Sequence, residues 1–275
     1  MQEQTIAFIG GGNMADSLAG GLIAGGHPPE RIWVADPFID QLDGLRARHK
    51  INVTQENSEA ASHADVILMA TKPQVLSEAA AEIREVVAER QPLILSIAAG
   101  IREPDLRRWL GGEVAVVRAM PNTPSLLGAG ATALYANPEV TEAQKTTARG
   151  ILETVGLAIW VDEEDHMDVV TATSGSGPAY FFSVMEAMTR AAQELGLEAE
   201  TASSLVRQTA LGAARMATEG SDDPATLRQK VTSPGGTTAA ALEALESCGL
   251  DDCFARALTA ARDRSRSLSE EFGKN

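Results

Sequence analysis

Short apolar runs alternate with stretches of helical spacing through roughly the first 160 residues of the chain. Seven such runs lie at residues 5–9, 31–35, 65–70, 93–97, 114–118, 131–136 and 158–161. Their length and composition are typical of buried strands. After the first run, apolar residues recur at Leu18, Leu22 and Ile23, which is the spacing of an amphipathic helix. Alternating strands and helices predict a mostly parallel sheet with helices on both faces.

The pattern changes after an acidic run at residues 162–165. From His166 onward the sequence shows helical spacing and no strand pattern. Helices are predicted at residues 178–195, 199–218, 224–230, 238–246 and 253–270. Gly177-Pro178 lies inside this pattern and predicts a kinked or restarted helix.

A glycine-rich turn follows the first predicted strand and opens the first predicted helix. It reads G-x-G-x-x-A over residues 10–15, so Gly11, Asn13 and Met14 complete it. In this pattern Gly10 permits the tight turn, Gly12 lets a pyrophosphate approach the backbone, and Ala15 allows close packing. The sequence therefore predicts an α/β fold with an N-terminal Rossmann-type doubly wound sheet over residues 1–163. An all-helical C-terminal domain is predicted to follow over residues 164–275.

Asp36 ends the second predicted strand, 21 positions after Ala15 and close to the ~20 expected for an acid that binds the adenosine ribose. Such a carboxylate favours NADH, because it repels a 2′-phosphate and the next arginine is only at Arg46. Alternatively, Asp36 caps the helix that starts near Ile39. Both interpretations stay open on the sequence alone.

Further cofactor contacts are predicted at the ends of other strands, because the ligand crevice lies at the carboxyl ends of a parallel sheet. The candidate residues are Asn57, Ala70, Thr71, Lys72, Pro73, Ala98, Ala99 and Gly100. Lys72 is either a phosphate or ribose contact or an ordinary surface lysine. Asn122 and Thr123 offer polar groups near the crevice, whereas Arg118 is interpreted as one half of a structural ion pair.

A second glycine turn, at residues 231–238, opens a late helix. Two glycines allow a tight turn, and the first N–H groups of the helix have no partner within it. This pattern predicts a carboxylate-binding site next to Gly236. The site would consist of these N–H groups and the hydroxyls of Ser233, Thr237 and Thr238. The alternative is a tight turn and helix start without a ligand.

The composition and the remaining motifs argue against several classes of binding partner and of reaction. The formal net charge of −15 and the pI of about 4.7 argue against nucleic acid and anionic membranes. The N-terminal sequence shows no leader pattern and no membrane span, and two cysteines predict reduced thiols in the cytoplasm. The histidines lack metal-ligand spacing, and Ser176 lies outside any nucleophile elbow. We therefore expect no metal, and hydride transfer to a small acid becomes the favoured chemistry.

Several motifs together resemble one family. The motifs lie at residues 8–14, 72–73, 96–100, 118–124, 174–180 and 233–238. In the same order and over nearly the whole chain, they resemble pyrroline-5-carboxylate reductase. The resemblance implies reduction of 1-pyrroline-5-carboxylate to L-proline with NADPH or NADH, the last step of proline biosynthesis. It also implies a helical dimerisation domain with interleaved helices, often a ring of dimers, and a site to which a neighbouring subunit contributes.

On this resemblance the substrate carboxylate rests on Ser233, Gly236, Thr237 and Thr238, with Ser176 as a further contact. The Thr238 hydroxyl is the candidate for hydrogen bonding the ring nitrogen during catalysis. Asp36 departs from the many members that prefer NADPH, so the choice between the two cofactors stays open. Two rivals remain: a β-hydroxyacid dehydrogenase, which would need a lysine early in the helical domain, and a non-catalytic nucleotide sensor. The sequence has no lysine between residues 166 and 228.

Overall fold

The computed structural model describes residues 3–273, so residues 1–2 of the first predicted domain and 274–275 of the second lie outside the described part. Within it, eight strands form one sheet in the order β3-β2-β1-β4-β5-β6-β7-β8, and only the β6–β7 pair is antiparallel. The strands are β1 Ile6–Ile9, β2 Ile32–Ala35, β3 Asn52–Thr54, β4 Val66–Met69, β5 Leu93–Ser96, β6 Val116–Met120, β7 Gly130–Ala136 and β8 Gly156–Trp160. The predicted doubly wound sheet is confirmed.

Helices cover the sheet and make up the second half of the chain. The first six are α1 Asn13–Ala24, α2 Ile39–His49, α3 Asn57–Ser62, α4 Leu76–Arg90, α5 Glu103–Leu110 and α6 Glu142–Glu153. The others are α7 His166–Val170, α8 Gly177–Glu194, α9 Ala199–Glu219, α10 Pro224–Lys230, α11 Thr237–Ser247 and α12 Leu250–Phe272. Short 3₁₀ turns lie at Pro29–Arg31, Pro73–Val75 and Thr123–Leu127, and a π turn at Thr171–Gly175 separates α7 from α8.

The core lies on both faces of the sheet because successive strand residues point to opposite sides. In β1, Ile6 and Phe8 belong to one hydrophobic cluster, while Ala7 and Ile9 belong to the other. All four side chains are fully buried. Since both faces need covering, helices pack on each side, which explains the continuous apolar runs of the sequence.

One strand does not show the hydrophobic pattern from which the others were predicted. β3 has only three half-buried residues, two of them polar, and it forms one edge of the sheet. Its side chains therefore lack the burial that makes a strand readable from sequence. β6 also starts two residues later than predicted, at Val116, where its N–H donates to the Asn137 side chain at 3.1 Å.

The chain divides into two compact units. Among the described residues, the first, the sheet unit, comprises residues 3–176 together with residues 260–273, and the second, the helical unit, comprises Gly177–Thr259. The end of α12 thus packs with the sheet unit. The predicted boundary between residues 163 and 164 stays a prediction. None of the helices in residues 3–273 is long and apolar enough to cross a membrane.

Candidate active site

The glycine turn between β1 and α1 is as tight as its sequence predicts. Gly10 has φ +103°, and its N–H donates to the Ala35 carbonyl at 2.8 Å. A Cβ at Gly10 would lie 2.8 Å from the carbonyl carbon and oxygen of Ala70, closer than atoms can approach. Only glycine fits this position, which brings the turn against the end of β4.

Asp36 is tied to this turn. Its Oδ2 accepts the Gly11 N–H at 2.8 Å, and its Oδ1 accepts the Phe38 N–H at 3.0 Å. The Gly11 carbonyl in turn accepts from the Gln41 side chain. Helix α2 starts at Ile39 with Phe38 as its N-cap and no side-chain cap, so the alternative of Asp36 as a helix cap is wrong.

The residues after Gly11 present an open helix start. Gly12 is the N-cap of α1 without a side-chain cap, and a Cβ built there would meet nothing within 4 Å. The first backbone bond of the helix runs from the Asp16 N–H to the Gly12 carbonyl, at 3.0 Å. The N–H groups of Asn13 and Met14 therefore have no acceptor within the helix. Free N–H groups, space and the positive end of the helix dipole together fit a pyrophosphate.

The loop after β4 offers a polar group without a partner. The Thr71 hydroxyl oxygen is buried and has no hydrogen bond within residues 3–273. The Thr71 backbone nitrogen would lie 2.9 Å from a Cβ at Gly10, so this residue lies beside the glycine turn. Lys72 is exposed and precedes the 3₁₀ turn that starts at Pro73, and none of the described ion pairs includes its ammonium group. This loop fits a polar ligand at the carboxyl edge of the sheet.

The other predicted cofactor residues have varied surroundings. Ala98 is buried and Ala99 half-buried after β5. Gly100 has φ +73°, and a Cβ there would lie 3.3 Å from Leu268 Cβ, so α12 fills the space next to it. Asn57 opens α3, and its amide donates to Glu82 Oε2 at 2.7 Å. Cofactor contact by these residues stays a prediction.

The second glycine turn lies in the helical unit and also opens a helix. Gly235 has φ +70°, and Gly236 is the N-cap of α11, again without a side-chain cap. The Gly236 N–H donates to the Ser233 carbonyl at 3.0 Å, which closes the turn. Thr237 and Thr238 are the first two helical residues, so their N–H groups lack acceptors within the helix. The predicted loop and helix start are confirmed.

Two polar residues of the 118–124 motif, Arg118 and Asn122, make contacts within the fold. Arg118 Nη1 lies 2.6 Å from Glu164 Oε1, and both side chains are largely buried, which confirms the expected structural ion pair. Asn122 is buried; its amide donates to the Ser174 carbonyl at 3.0 Å and its Oδ1 accepts the Ala131 N–H at 2.9 Å. Asn122 therefore links the loop after β6 to the π turn and to β7.

Ser176 follows the π turn, and its N–H donates to the Thr171 carbonyl at 2.8 Å. Helix α8 restarts at Gly177, as the glycine-proline pair predicts. The side chain of Ser176 is half-buried. Its contact with substrate stays a prediction.

The sheet, the glycine turn and the open helix start define a Rossmann-type, dinucleotide-dependent oxidoreductase. Two family models match the chain in agreement with this class. Residues 5–100 match the model described as NADP oxidoreductase coenzyme F420-dependent. Residues 164–268 match the model of pyrroline-5-carboxylate reductase dimerisation, which supports self-association through the helical region.

Full-length relatives give the family. The chain is 48% identical to a pyrroline-5-carboxylate reductase of Pseudomonas aeruginosa over 274 residues, which cover 100% of both chains. A solved pyrroline-5-carboxylate reductase from Coxiella burnetii matches at a TM-score of 0.94 and 47% identity, covering 97% of this chain and 98% of that one. A Plasmodium falciparum pyrroline carboxylate reductase, solved with NADP bound, matches at 0.84 and 29% identity, covering 98% and 99%.

The chain belongs to the pyrroline-5-carboxylate reductase family. Members of this family reduce 1-pyrroline-5-carboxylate to proline, so the chain is an oxidoreductase that depends on NAD(P)H. This confirms the resemblance inferred from the sequence motifs. It also rules out the two alternatives, a β-hydroxyacid dehydrogenase and a non-catalytic nucleotide sensor.

Proposed function

We propose that the family's reaction uses two uncapped, glycine-preceded helix starts, one in the sheet unit and one in the helical unit, and that a neighbouring subunit contributes to the site. NAD(P)H binds at the start of α1, and the carboxylate of 1-pyrroline-5-carboxylate binds at the start of α11. The observation that carries this proposal is that Gly12 and Gly236 are both N-caps without a side-chain cap. Each leaves N–H groups and a positive dipole end for an anion, and the two ligands of this reaction are both anions.

In the cofactor half, the N–H groups of Gly12, Asn13 and Met14 bind the pyrophosphate. Asp36 accepts hydrogen bonds from the adenosine ribose, which favours NADH, although either cofactor serves the reaction. The remaining contacts are proposed for Gly10, Gly11, Asn57, Ala70, Thr71, Lys72, Pro73, Ala98, Ala99 and Gly100. The bound cofactor supplies a hydride from nicotinamide C4 to the imine carbon.

In the substrate half, the carboxylate accepts from the N–H groups of Thr237 and Thr238 and from the Ser233 hydroxyl. Gly236 lets the ring acid approach the backbone, because it has no side chain. Ser176 adds a polar contact. Holding the acid group in this way orients the imine carbon for hydride transfer.

The ring nitrogen must gain a proton before or during hydride transfer, because an iminium accepts hydride far better than a neutral imine. The Thr238 hydroxyl hydrogen-bonds this nitrogen. A hydroxyl is a weak acid at neutral pH, so Thr238 acts mainly by positioning, and water is the proton source.

The wider organisation follows the family. We propose a dinucleotide-binding domain at residues 1–163 and a helical dimerisation and substrate-binding domain at residues 164–275, with dimers assembling further into a ring. Both cysteines, Cys248 and Cys253, are free and exposed, which supports a location in the reducing cytoplasm. The surplus of negative charge supports the absence of nucleic acid among the partners.

Turnover of a Thr238→Ala variant tests the substrate half. With NAD(P)H absorbance as the readout, we expect kcat for 1-pyrroline-5-carboxylate to fall about tenfold or more, the loss of one hydrogen bond to a charged group. Thr238→Ser, which keeps the hydroxyl, should recover most of the rate. The matched control is Thr218→Ala, because the Thr218 hydroxyl bonds only backbone carbonyls of its own helix. An unchanged rate for Thr238→Ala would remove this residue from the mechanism.

A further inference from the structure

Both backbone polar groups of Gly11, the N–H and the carbonyl, form hydrogen bonds within the protein. Its N–H donates to Asp36 Oδ2 at 2.8 Å, and its carbonyl accepts from the Gln41 amide. The N–H is therefore used within the protein, and the carbonyl already has one donor. The glycine in the middle of the turn is therefore bound by the protein itself, in contrast to the open N–H groups that follow it.

Gly11 is also closely packed. A Cβ at this position would lie 3.1 Å from Leu45 Cδ1 and 3.3 Å from both Val34 Cγ1 and Asp36 Cβ. Val34 belongs to β2 and Leu45 to α2, so the turn rests on both elements. The two hydrogen bonds and this packing fix the two peptide groups on either side of Gly11 relative to β2 and α2.

Asp36 is itself held in place by the backbone. Its second carboxylate oxygen, Oδ1, accepts the Phe38 N–H at 3.0 Å, and the Pro37 carbonyl accepts from the Gln55 amide at 2.8 Å. Each carboxylate oxygen thus already has one donor and keeps further lone-pair capacity. The side chain is a preformed acceptor whose position is set before any ribose reaches it.

We propose that Asp36 is a positioning residue for the pyrophosphate site as well as an acceptor for the ribose. By fixing the Gly11 N–H, it orients the peptides that present the N–H groups of Gly12, Asn13 and Met14. This inference rests on the cofactor site of the proposed function. Its consequence is that the residue expected to favour NADH over NADPH also maintains the site that both cofactors need.

Binding measurements on Asp36 variants separate this role from ribose contact alone. We expect Asp36→Asn and Asp36→Ser to raise the dissociation constant of NADH more than tenfold in a fluorescence titration, since a charge-assisted bond is lost. NADPH should also bind more weakly, by about threefold or more, because relief of charge repulsion offsets only part of the loss. Weaker NADH binding with unchanged or tighter NADPH binding would overturn the proposal.

The matched control is Asp40→Asn, the same loss of charge four residues later. Asp40 is exposed in the first turn of α2, and it makes none of the hydrogen bonds that hold Gly11. This variant should bind both cofactors like the wild type. A second variant, Gln41→Ala, keeps the carboxylate but frees the Gly11 carbonyl, and it should weaken NADH and NADPH alike. Weakening of NADH alone in this variant would contradict a role through the turn.

Amide hydrogen exchange in the cofactor-free protein gives a readout that needs no binding or turnover. The Gly11 N–H should exchange at least about tenfold faster in Asp36→Asn than in the wild type, because its acceptor is weakened. Exchange of the β5 amides in the same sample reports whether the fold is intact. Unchanged Gly11 exchange would overturn the proposal. Failure of the wild type to bind either cofactor would instead refute the proposed function, and the exchange result would still stand.

Discussion

Two glycines two positions apart serve different purposes in the turn after β1. Gly10 is required by the fold, because its φ of +103° and its contact with Ala70 exclude any side chain. Gly12 has φ −69° and open space around it, so the fold itself would accept a methyl group there. Its glycine is explained only by a ligand that uses that space.

Alanine at each position should therefore separate stability from binding. We expect Gly10→Ala to destabilise the protein by about 2 kcal/mol or more, through a strained backbone and a steric clash. Gly12→Ala should leave the unfolding free energy within about 0.5 kcal/mol while weakening NAD(P)H binding about tenfold or more. Urea denaturation and fluorescence titration measure the two effects. Equal losses of stability in the two variants would contradict this division.

His27 is a buried residue outside the proposed site. It is 1% exposed, and neither ring nitrogen meets the distance and angle of a hydrogen bond within the described residues, although the nearby Arg31 backbone offsets part of the lost hydration. Burial lowers the pKa of His27 below its ordinary value of 6.5, because the charged ring would lose its hydration. The unfolded chain thus binds a proton more readily than the folded one, so stability falls as the pH drops below about 6.5.

Replacing this histidine should flatten the acid side of the stability profile. In thermal unfolding between pH 7.5 and pH 5, we expect the wild type to lose more Tm than His27→Leu, which has no ring to protonate. His166→Leu is the control, because His166 is exposed. A Tm loss in His27→Leu equal to that of the wild type would show that this ring does not govern the acid response.

At the scale of single residues, the sequence predicts local motifs better than it predicts which distant residues form hydrogen bonds with each other. The glycine turn and the Arg118 ion pair were predictable, because each depends on local pattern and chemistry. The Asp36–Gly11 bond depends on the register of β1 against β2, in which Ile9 pairs with Ala35. Burial of Asn122 depends on contacts with Ser174, which is 52 positions away. Such distances leave no trace in a single sequence.

Among the elements, the end of α12 has a place that the sequence did not predict. Helical spacing predicted the helix, but its final turns pack on the sheet unit. Ser265 donates to Asp168 Oδ1 at 2.6 Å, and Asp168 Oδ2 lies 3.3 Å from Arg102 Nη2 and 3.7 Å from Arg266 Nε. Arg102 follows the 98–100 loop, so this cluster fixes α12 behind a loop of the proposed cofactor site.

The cluster should matter for stability because Asp168 is buried. We expect Asp168→Asn to lower the unfolding free energy by about 1–3 kcal/mol, since it weakens several bonds to a buried carboxylate. Asp165→Asn is the matched control: Asp165 pairs with the same Arg102, at 2.9 Å, but is largely exposed, and such pairs contribute about 0–1 kcal/mol. Chemical denaturation of both variants gives the comparison. An effect of Asp165→Asn as large as that of Asp168→Asn would contradict the argument from burial.

The whole molecule carries large exposed apolar side chains on its helical unit. They include Phe181, Phe182, Val184, Met188, Leu205 and Leu211. Patches of this kind are costly in a monomer and typical of subunit interfaces. Because residues 164–268 match the dimerisation model, we expect a second copy of the chain to cover these side chains.

A charge on α8 should therefore break the assembly. We expect Phe182→Glu to shift the protein from a dimer or larger oligomer toward monomer in light scattering coupled to size exclusion, because a buried charge at an interface is unfavourable. Phe38→Glu makes the same change at an exposed phenylalanine outside the dimerisation region, and it should leave the molecular mass unchanged. An unchanged mass for Phe182→Glu would exclude this side chain from the interface.

In the proposed reaction, an imine that is held by its acid group at the start of α11 receives hydride from a cofactor held at the glycine turn. A crystal structure of the protein with proline and the oxidised cofactor tests this claim most directly. We expect the proline carboxylate within hydrogen-bond distance of the Thr237 and Thr238 N–H groups, with nicotinamide C4 facing the ring carbon that accepts hydride. A carboxylate bound away from residues 233–238, or a nicotinamide pointing away from the ring, would contradict it.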